Sequence, residues 1–182
     1  MKNIKTKITA IILGIFTVVS LAGCSLSKAE DKDLSSRKYS YEKFLKVKIG
    51  MTYDETKKIL GEGKKDTTQK SAEIYRWKNS DSSYIEVIYS GSTNKATEKI
   101  EYKLSNNKVK VSKEKYYEVN GKQNYQEVKD ILGGEGTLTE EIETGKGINK
   151  TYMWGNDNDK NGYISVSFTN GYASFETGNY LK

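Results

Sequence analysis

An α+β fold of two tandem units, each a helix–loop–helix followed by about four antiparallel strands, is what these 182 residues predict. Three observations lead there. The chain repeats itself in order. Each repeat opens with signals that start and stop helices. The rest of each repeat alternates apolar and polar residues with the period of a strand.

The repeats are read directly. Phe44-Leu45-Lys46-Val47 is echoed 72 residues later by Tyr116-Tyr117-Glu118-Val119. Tyr53-Asp54-Glu55-Thr56-Lys57-Lys58-Ile59-Leu60-Gly61 is echoed at the same offset by Tyr125-Gln126-Glu127-Val128-Lys129-Asp130-Ile131-Leu132-Gly133. Tyr75-Arg76-Trp77 then matches Tyr152-Met153-Trp154. Tyr84-Ile85-Glu86-Val87-Ile88-Tyr89 matches Tyr163-Ile164-Ser165-Val166-Ser167-Phe168. The offset drifts from 72 to 77 and 79, as it does when loops lengthen while elements keep their order. The units are therefore placed at 39–111 and 112–182.

The first 24 residues form a separate block. Lys2, Lys5 and Lys7 precede an apolar run from Ile8 to Val19, too short to span a bilayer comfortably and suited to a signal-peptide core. The run ends in Leu21-Ala22-Gly23-Cys24, which resembles the lipobox of bacterial lipoproteins. That resemblance implies cleavage after residue 23, diacylation of the Cys24 sulfur, and residence on the outer face of the cell membrane. Two acyl chains anchor stably where one does so only marginally. An ordinary signal peptide with an incidental cysteine, or an uncleaved anchor, is the competing reading. Residues 24–38 are polar and charged and read as a disordered tether.

Each unit then builds up in order. Tyr41, Phe44, Leu45 and Val47, like Tyr116, Tyr117 and Val119, suit a short first helix. Thr52 with Glu55 makes a capping-box pattern, and Asn124 with Glu127 a similar start for the second helix of each unit. Gly61 and Gly133 stand where a left-handed residue would end those helices. Strands are expected at 64–70, 72–78, 84–89 and 97–104, and at 137–143, 149–154, 163–168 and 171–176. Ile85, Val87 and Tyr89 share one face with Tyr84, Glu86 and Ile88 opposite. Ile164, Val166 and Phe168 repeat that split against Tyr163, Ser165 and Ser167. One sheet face is thus core and the other wet. Tyr75, Trp77, Tyr152 and Trp154 are read as core. The basic stretch Lys108 to Lys115 is read as a link between units, suited to an edge strand.

Composition narrows the function. The chain has no histidine, and its one cysteine is the lipidation candidate, so the commonest general base, metal ligand and thiol nucleophile are missing. An enzyme is not expected, nor a cofactor. The formal charge of +6 falls to +3 once residues 1–23, with three lysines and no acid, are removed, which argues against nucleic-acid binding. Asp157, Asp159, Asn161 and Gly162 match the start of a calcium loop, but its twelfth position would be Phe168 rather than a glutamate, so a hydrophilic hairpin tip is expected and no metal. Gly133-Gly134-Glu135-Gly136 follows a helix rather than preceding one, and reads as a helix stop instead of a phosphate cradle.

The run Lys43-Phe44-Leu45-Lys46-Val47-Lys48-Ile49-Gly50-Met51-Thr52, with Ile59 and Gly61, resembles the opening of the β-lactamase inhibitor protein (BLIP) family, as does Phe168-Thr169-Asn170-Gly171. The Gly-Met-Thr also resembles that of small outer-membrane lipoproteins of the SmpA/OmlA type, which have one such unit. The resemblance covers about residues 39–182, although Lys122-Gln123-Asn124 replaces Gly-Met-Thr in the second copy. It implies two sheets joined into one concave, tyrosine-rich surface that grips a partner protein, with one hairpin loop of each unit reaching into a β-lactamase active site. Here the first loop, residues 79–83, carries Asp81, whereas the second, residues 155–162, is polar throughout and offers no ring. The family's intradomain disulfides are absent, and Trp77 and Trp154 lie near their places. The expected partner-binding residues are Asp81, Tyr84, Glu86, Asp159 and Tyr163. The expected function is that of a membrane-anchored, protein-binding lipoprotein, with a structural or assembly role in the cell envelope as the alternative.

Overall fold

The computed structural model describes Leu34 and residues 36–67, 72–155 and 162–179. Its elements run in chain order as α1 (Tyr41–Lys46), α2 (Tyr53–Leu60), β1 (Lys64–Asp66), β2 (Ala72–Lys78), β3 (Tyr84–Ser90) and β4 (Ala96–Tyr102). The series then repeats as α3 (Lys113–Glu118), α4 (Tyr125–Leu132), β5 (Thr137–Thr144), β6 (Gly147–Gly155), β7 (Tyr163–Thr169) and β8 (Tyr172–Asn179). The described strands form a single eight-stranded antiparallel sheet in sequence order, β1 to β8.

The helices form where local chemistry satisfies their ends. Ser40 and Ser112, 72 residues apart, cap α1 and α3 by accepting the amides of Lys43 and Lys115. Thr52 and Glu55 close a reciprocal capping box at α2, and Asn124 and Glu127 close one at α4. Gly133 ends α4 in the left-handed region, as its position predicts. Gly61 also has positive φ, at 81°, but ψ is −166°, so α2 ends differently from the expectation. The second unit has one more residue here. With Gly134 inserted, the chain bonds back twice to the Lys129 carbonyl, from Gly133 and Gly134; without it, Gly61 turns out of the helix in one step.

Two cores lie on the helix side of the sheet and repeat one design. In the first, Phe44, Val47 and Leu60 pack on Trp77, Ile85, Val87 and Tyr89; in the second, Val119, Val128 and Leu132 pack on Trp154, Ile164, Val166 and Phe168. Trp77 and Trp154 are buried, as read from the sequence, and each indole N–H donates to a carbonyl in the turn after the helix: Gly61 at 3.0 Å and Gly134 at 2.7 Å. A Cβ on Gly63 or Gly136 would come within 2.7 Å of the corresponding indole, so only glycine allows the approach. The Tyr53 hydroxyl accepts the Gly63 amide and donates to Glu62, just as the Tyr125 hydroxyl accepts the Gly136 amide and donates to Glu135. Lys57 and Lys129 complete the two sets as ion-pair partners of those glutamates.

Several expectations are corrected. Residues 107–112 are irregular rather than an edge strand, and α3 starts at Lys113: the Asn107 side chain bonds the Glu135 carbonyl, Thr137 and the Gly155 amide, which fixes the link against the second unit instead of a sheet edge. The described part of β1 ends at Asp66, and β8 continues to Asn179, beyond the expected 176.

The two halves join where β4 pairs with β5 over only Glu98↔Ile142, Lys99↔Glu141 and Ile100↔Glu140. Lys99 is 1% exposed there. Its ammonium contacts Glu141 at 2.9 Å, donates to the Val47 and Phe44 carbonyls at the end of α1, and lies 4.4 Å from the centre of the Phe44 ring. Burial pulls the Lys99 amine below its ordinary value against the opposing pull of Glu141. Burial would raise Glu141, but Lys99 and then Lys150, 3.1 Å away, hold it below the usual carboxylate range. A second tie is the Leu138 amide, which donates to the Tyr41 hydroxyl at 2.9 Å. Burial is the main reason that the Tyr41 phenol is pushed up to about 12.

Removing one member of a buried ion pair strands the other, so Lys99→Met is expected to lower unfolding free energy by about 2–4 kcal/mol, measured by chemical denaturation, with Lys150 limiting the loss. The Glu141 contribution is complete above the unfolded carboxylate value of about 4.3 and disappears as pH falls through the lower folded value. Glu141→Gln is therefore expected to flatten the acid limb of the stability–pH curve. The Tyr89 hydroxyl is buried beside the Thr56 side chain but makes no well-formed hydrogen bond among the described residues, and Phe168 and Val128 occupy the matching places in the second unit. Tyr89→Phe should leave the melting temperature unchanged or raise it, by the equivalent of up to about 1 kcal/mol.

Candidate sheet-face interface

The described helices pack on one side of the sheet and leave the other side open, and register settles which residues line that side. One row crosses the strands as Lys64, Arg76, Glu86, Ile100, Glu140, Thr151, Ser167 and Phe175. Tyr84 pairs with Lys78 on one side and Tyr102 on the other. Tyr163 takes the matching place in the second half, beside Gly155 and Asn179. The alternation read in β3 and β7 holds: Ile85, Val87 and Tyr89, like Ile164, Val166 and Phe168, are buried, and the residues between them are half-buried. Tyr84 and Tyr163 lie four strands apart across the face and in different cross-strand rows.

The first half of the face is a pre-arranged cluster. The rings of Tyr84 and Tyr102 stack with centroids 5.1 Å apart. The Arg76 guanidinium lies 4.9 Å from the Tyr84 centroid and pairs with Glu86, Nε to Oε2 at 2.8 Å. Hydrogen bonding to Glu86 holds the Arg76 guanidinium above its ordinary value. Lys103 sits 5.2 Å from the Tyr102 ring. Sequence reading missed Arg76 and Tyr102 in this cluster; the signal for Tyr102 lies in strand pairing, which no spacing along the chain reveals.

The second half has different chemistry. Thr151 pairs with Ser167 at 2.9 Å and donates to Glu140 at 3.0 Å, and Ser165 and Thr177 extend the hydroxyl-rich surface. At the boundary Glu98 lies diagonally across from Glu140. Burial first, and then the Glu140 charge, raises its carboxyl above the usual range. The tyrosine-rich face implied by resemblance is therefore confined mainly to the first half. Tyr53, Tyr75, Tyr89, Tyr125 and Tyr152 belong to the cores instead, because they follow the buried parity of their strands or the inner face of their helices.

Asp81 sits on the β2–β3 hairpin but is turned back on its own chain. One carboxylate oxygen takes the Arg37 Nε–H at 2.6 Å, and the other accepts from the Ser83 amide and hydroxyl at 2.9 and 2.6 Å. Arg37 also donates to the Lys103 carbonyl at 2.6 Å. Beside it, the Asn79 side chain bonds both the amide and the carbonyl of Tyr39. The chain entering the first unit is thus stitched to the hairpin tip. Partial burial favours a raised Asp81 carboxyl, but bonds from Ser83 and then Arg37 outweigh it and set it low. Asp159, with Asp157 and Asn161, lies outside the described residues, as does Cys24. Among the described residues no three histidine, cysteine or acidic side chains group to hold a metal ion, and no helix is long and apolar enough to cross a membrane.

The BLIP family model, described as β-lactamase inhibitor, matches residues 40–154. Among solved structures, a crystal structure of a candidate β-lactamase inhibitor protein from Streptococcus mutans superposes with a TM-score of 0.57 at 18% identity, covering 86% of this chain and 100% of that one. At that identity the likeness is one of fold. No curated protein matches the chain.

Because Arg37 is one of the groups that depress Asp81, Arg37→Ala is expected to raise the Asp81 pKa measured by NMR titration. Amide exchange of residues 79–83 should also speed up, with a global stability loss below about 1 kcal/mol.

Proposed function

The chain belongs to the β-lactamase inhibitor (BLIP) family, and from that premise we propose that it is a membrane-anchored, extracytoplasmic lipoprotein that binds a protein partner through its open sheet face, a secreted β-lactamase being the narrowest form of the proposal. The observation behind it is the Arg76–Tyr84–Glu86–Tyr102 cluster, set on the side of the sheet that the described helices leave open.

The physical case rests on preorganisation. Tyrosine buries a large amphipathic surface at little entropic cost, and arginine adds directional donors; both are over-represented among residues that dominate binding energy. Stacking and the Glu86 ion pair already hold Tyr84 and Arg76, so less order is lost on association. Tyr163 and the Ser/Thr half provide hydroxyl donors and acceptors for a more polar second contact. Asp81, engaged by Arg37 and Ser83, serves the same surface by shaping its hairpin tip. Lipidation at Cys24 would tether the module: the residues from there to Arg37 reach up to about 45 Å when extended.

Full-length protein in detergent is expected to inhibit at least one member of a panel of purified β-lactamases at micromolar concentration. Tyr84→Ala should weaken that inhibition by about tenfold, and Tyr163→Ala by less. No inhibition across the panel ends the β-lactamase version. If a specific envelope or secreted protein is instead recovered, and both variants bind it as tightly as wild type, the sheet face is removed from the account. Release of the protein from membranes by Cys24→Ala, read by cell fractionation, tests the anchor.

A further inference from the structure

The two ends of the sheet are unlike. At one edge, β1 has three residues, Lys64, Lys65 and Asp66, a short charged strand of the kind that discourages pairing. At the other, β8 has eight residues with one charge, Glu176, and no lysine, arginine or proline. Among the described strands it pairs only with β7.

The fold contains its own precedent for what such an edge accepts. β4 is the counterpart of β8, and the start of each is closed by its own unit. The Ala96 amide donates to Met51 at 2.7 Å and Thr52 bridges Lys95; likewise the Ala173 amide donates to Gln123 at 2.8 Å and Asn124 bridges Tyr172. Beyond that point, Glu98–Ile100 of β4 takes up β5 antiparallel. The matching window of β8 is Phe175–Thr177, since Lys99 faces Val87 and Glu176 faces Val166 across equivalent strand pairs. In the first unit this window is filled; in the second no described strand fills it.

Charge identifies the occupant. In the filled window Lys99 meets Glu141 of the incoming strand. In the open one the charge is reversed: Glu176 is half-buried and has no ion pair among the described residues. Phe175, 63% exposed, stands next to it on the open-face side as an apolar contact. A second copy fits poorly. Two-fold pairing centred on this window sets Glu176 against itself, and the Lys65 of an approaching β1 is already engaged by Glu73. We propose that the outer edge of β8 at Phe175–Thr177 accepts an extended segment of another protein as a ninth, antiparallel strand carrying a lysine or arginine opposite Glu176. Main-chain bonds would supply the affinity and the basic residue the selectivity. This edge site is separate from the sheet-face cluster.

The probe is a fluorescent peptide copying residues 136–144, the strand the precedent uses, with Glu141→Lys. Full-length protein in detergent is expected to bind it saturably, about fivefold or more tighter than the unsubstituted peptide. Glu176→Lys in the protein should invert that preference, and Tyr84→Ala should leave it unchanged. N-methylation of alternate peptide amides on one edge should abolish binding, while methylation on the other edge should spare it. Absence of saturable binding below about 1 mM overturns the proposal, as does equal affinity for both peptides in both protein forms. Sedimentation showing a dimer that Glu176→Lys alters would assign the edge to a second copy and overturn it equally.

Discussion

A three-pair strand junction holds the architecture together. Between β4 and β5 the sheet continues from one unit to the next, and on its helix side Lys99, Glu141 and Lys150 stack across three neighbouring strands. Lys99 also ends α1 through two carbonyls, and Tyr41 accepts the Leu138 amide near the start of β5. Without that junction there would be two four-stranded sheets, each too small to bury much of its surface and each with an additional exposed edge. A buried ion pair often adds little over a well-packed apolar substitute, but it specifies one register: slipping β5 by one residue would turn Glu141 to the open side and leave Lys99 unpaired.

Duplication acted differently on the two sides of the sheet. The helix side repeats nearly atom for atom: tyrosine hydroxyl, glutamate, glycine amide and indole form the same set after each second helix. Such packing tolerates little, because each group satisfies or fills the space of another. Where the copies differ they differ in concert, with Thr56 and Tyr89 in one matched by Val128 and Phe168 in the other. The open side has no such constraint and has diverged into an aromatic, ion-paired half and a hydroxyl-rich half. A face free of packing demands is where recognition can change without cost to the fold.

Some of this was legible in residue order. The 72-residue offset, the two capping boxes and the alternation in β3 and β7 each state a local rule that tertiary packing obeys. β4 shows where such reading stops. In Thr97-Glu98-Lys99-Ile100-Glu101-Tyr102, spacing alone would send Ile100 and Tyr102 inward, yet Lys99 and Glu101 are buried and Ile100 and Tyr102 face the open side. The charges go inside because partners wait there: Glu141 and the α1 carbonyls for Lys99, the Leu104 amide for Glu101. None of those partners is visible from the strand itself. Asp81 illustrates the same limit, since its loop position was evident but its capture by Arg37, 44 residues earlier, was not.

Residue type and the spacing of a few positions are enough to set the helices, the duplication, the buried faces of β3 and β7, and the lack of histidine and of any second thiol. Only tertiary pairing decides that the halves share one sheet, that most tyrosines are core, that Arg76 and Tyr102 join Tyr84 and Glu86 on one face, and that one edge is short and charged while the other meets no further strand among the described residues. Those outcomes depend on pairings between residues far apart in the chain, where a lysine's place is set by the acid it meets rather than by its neighbours.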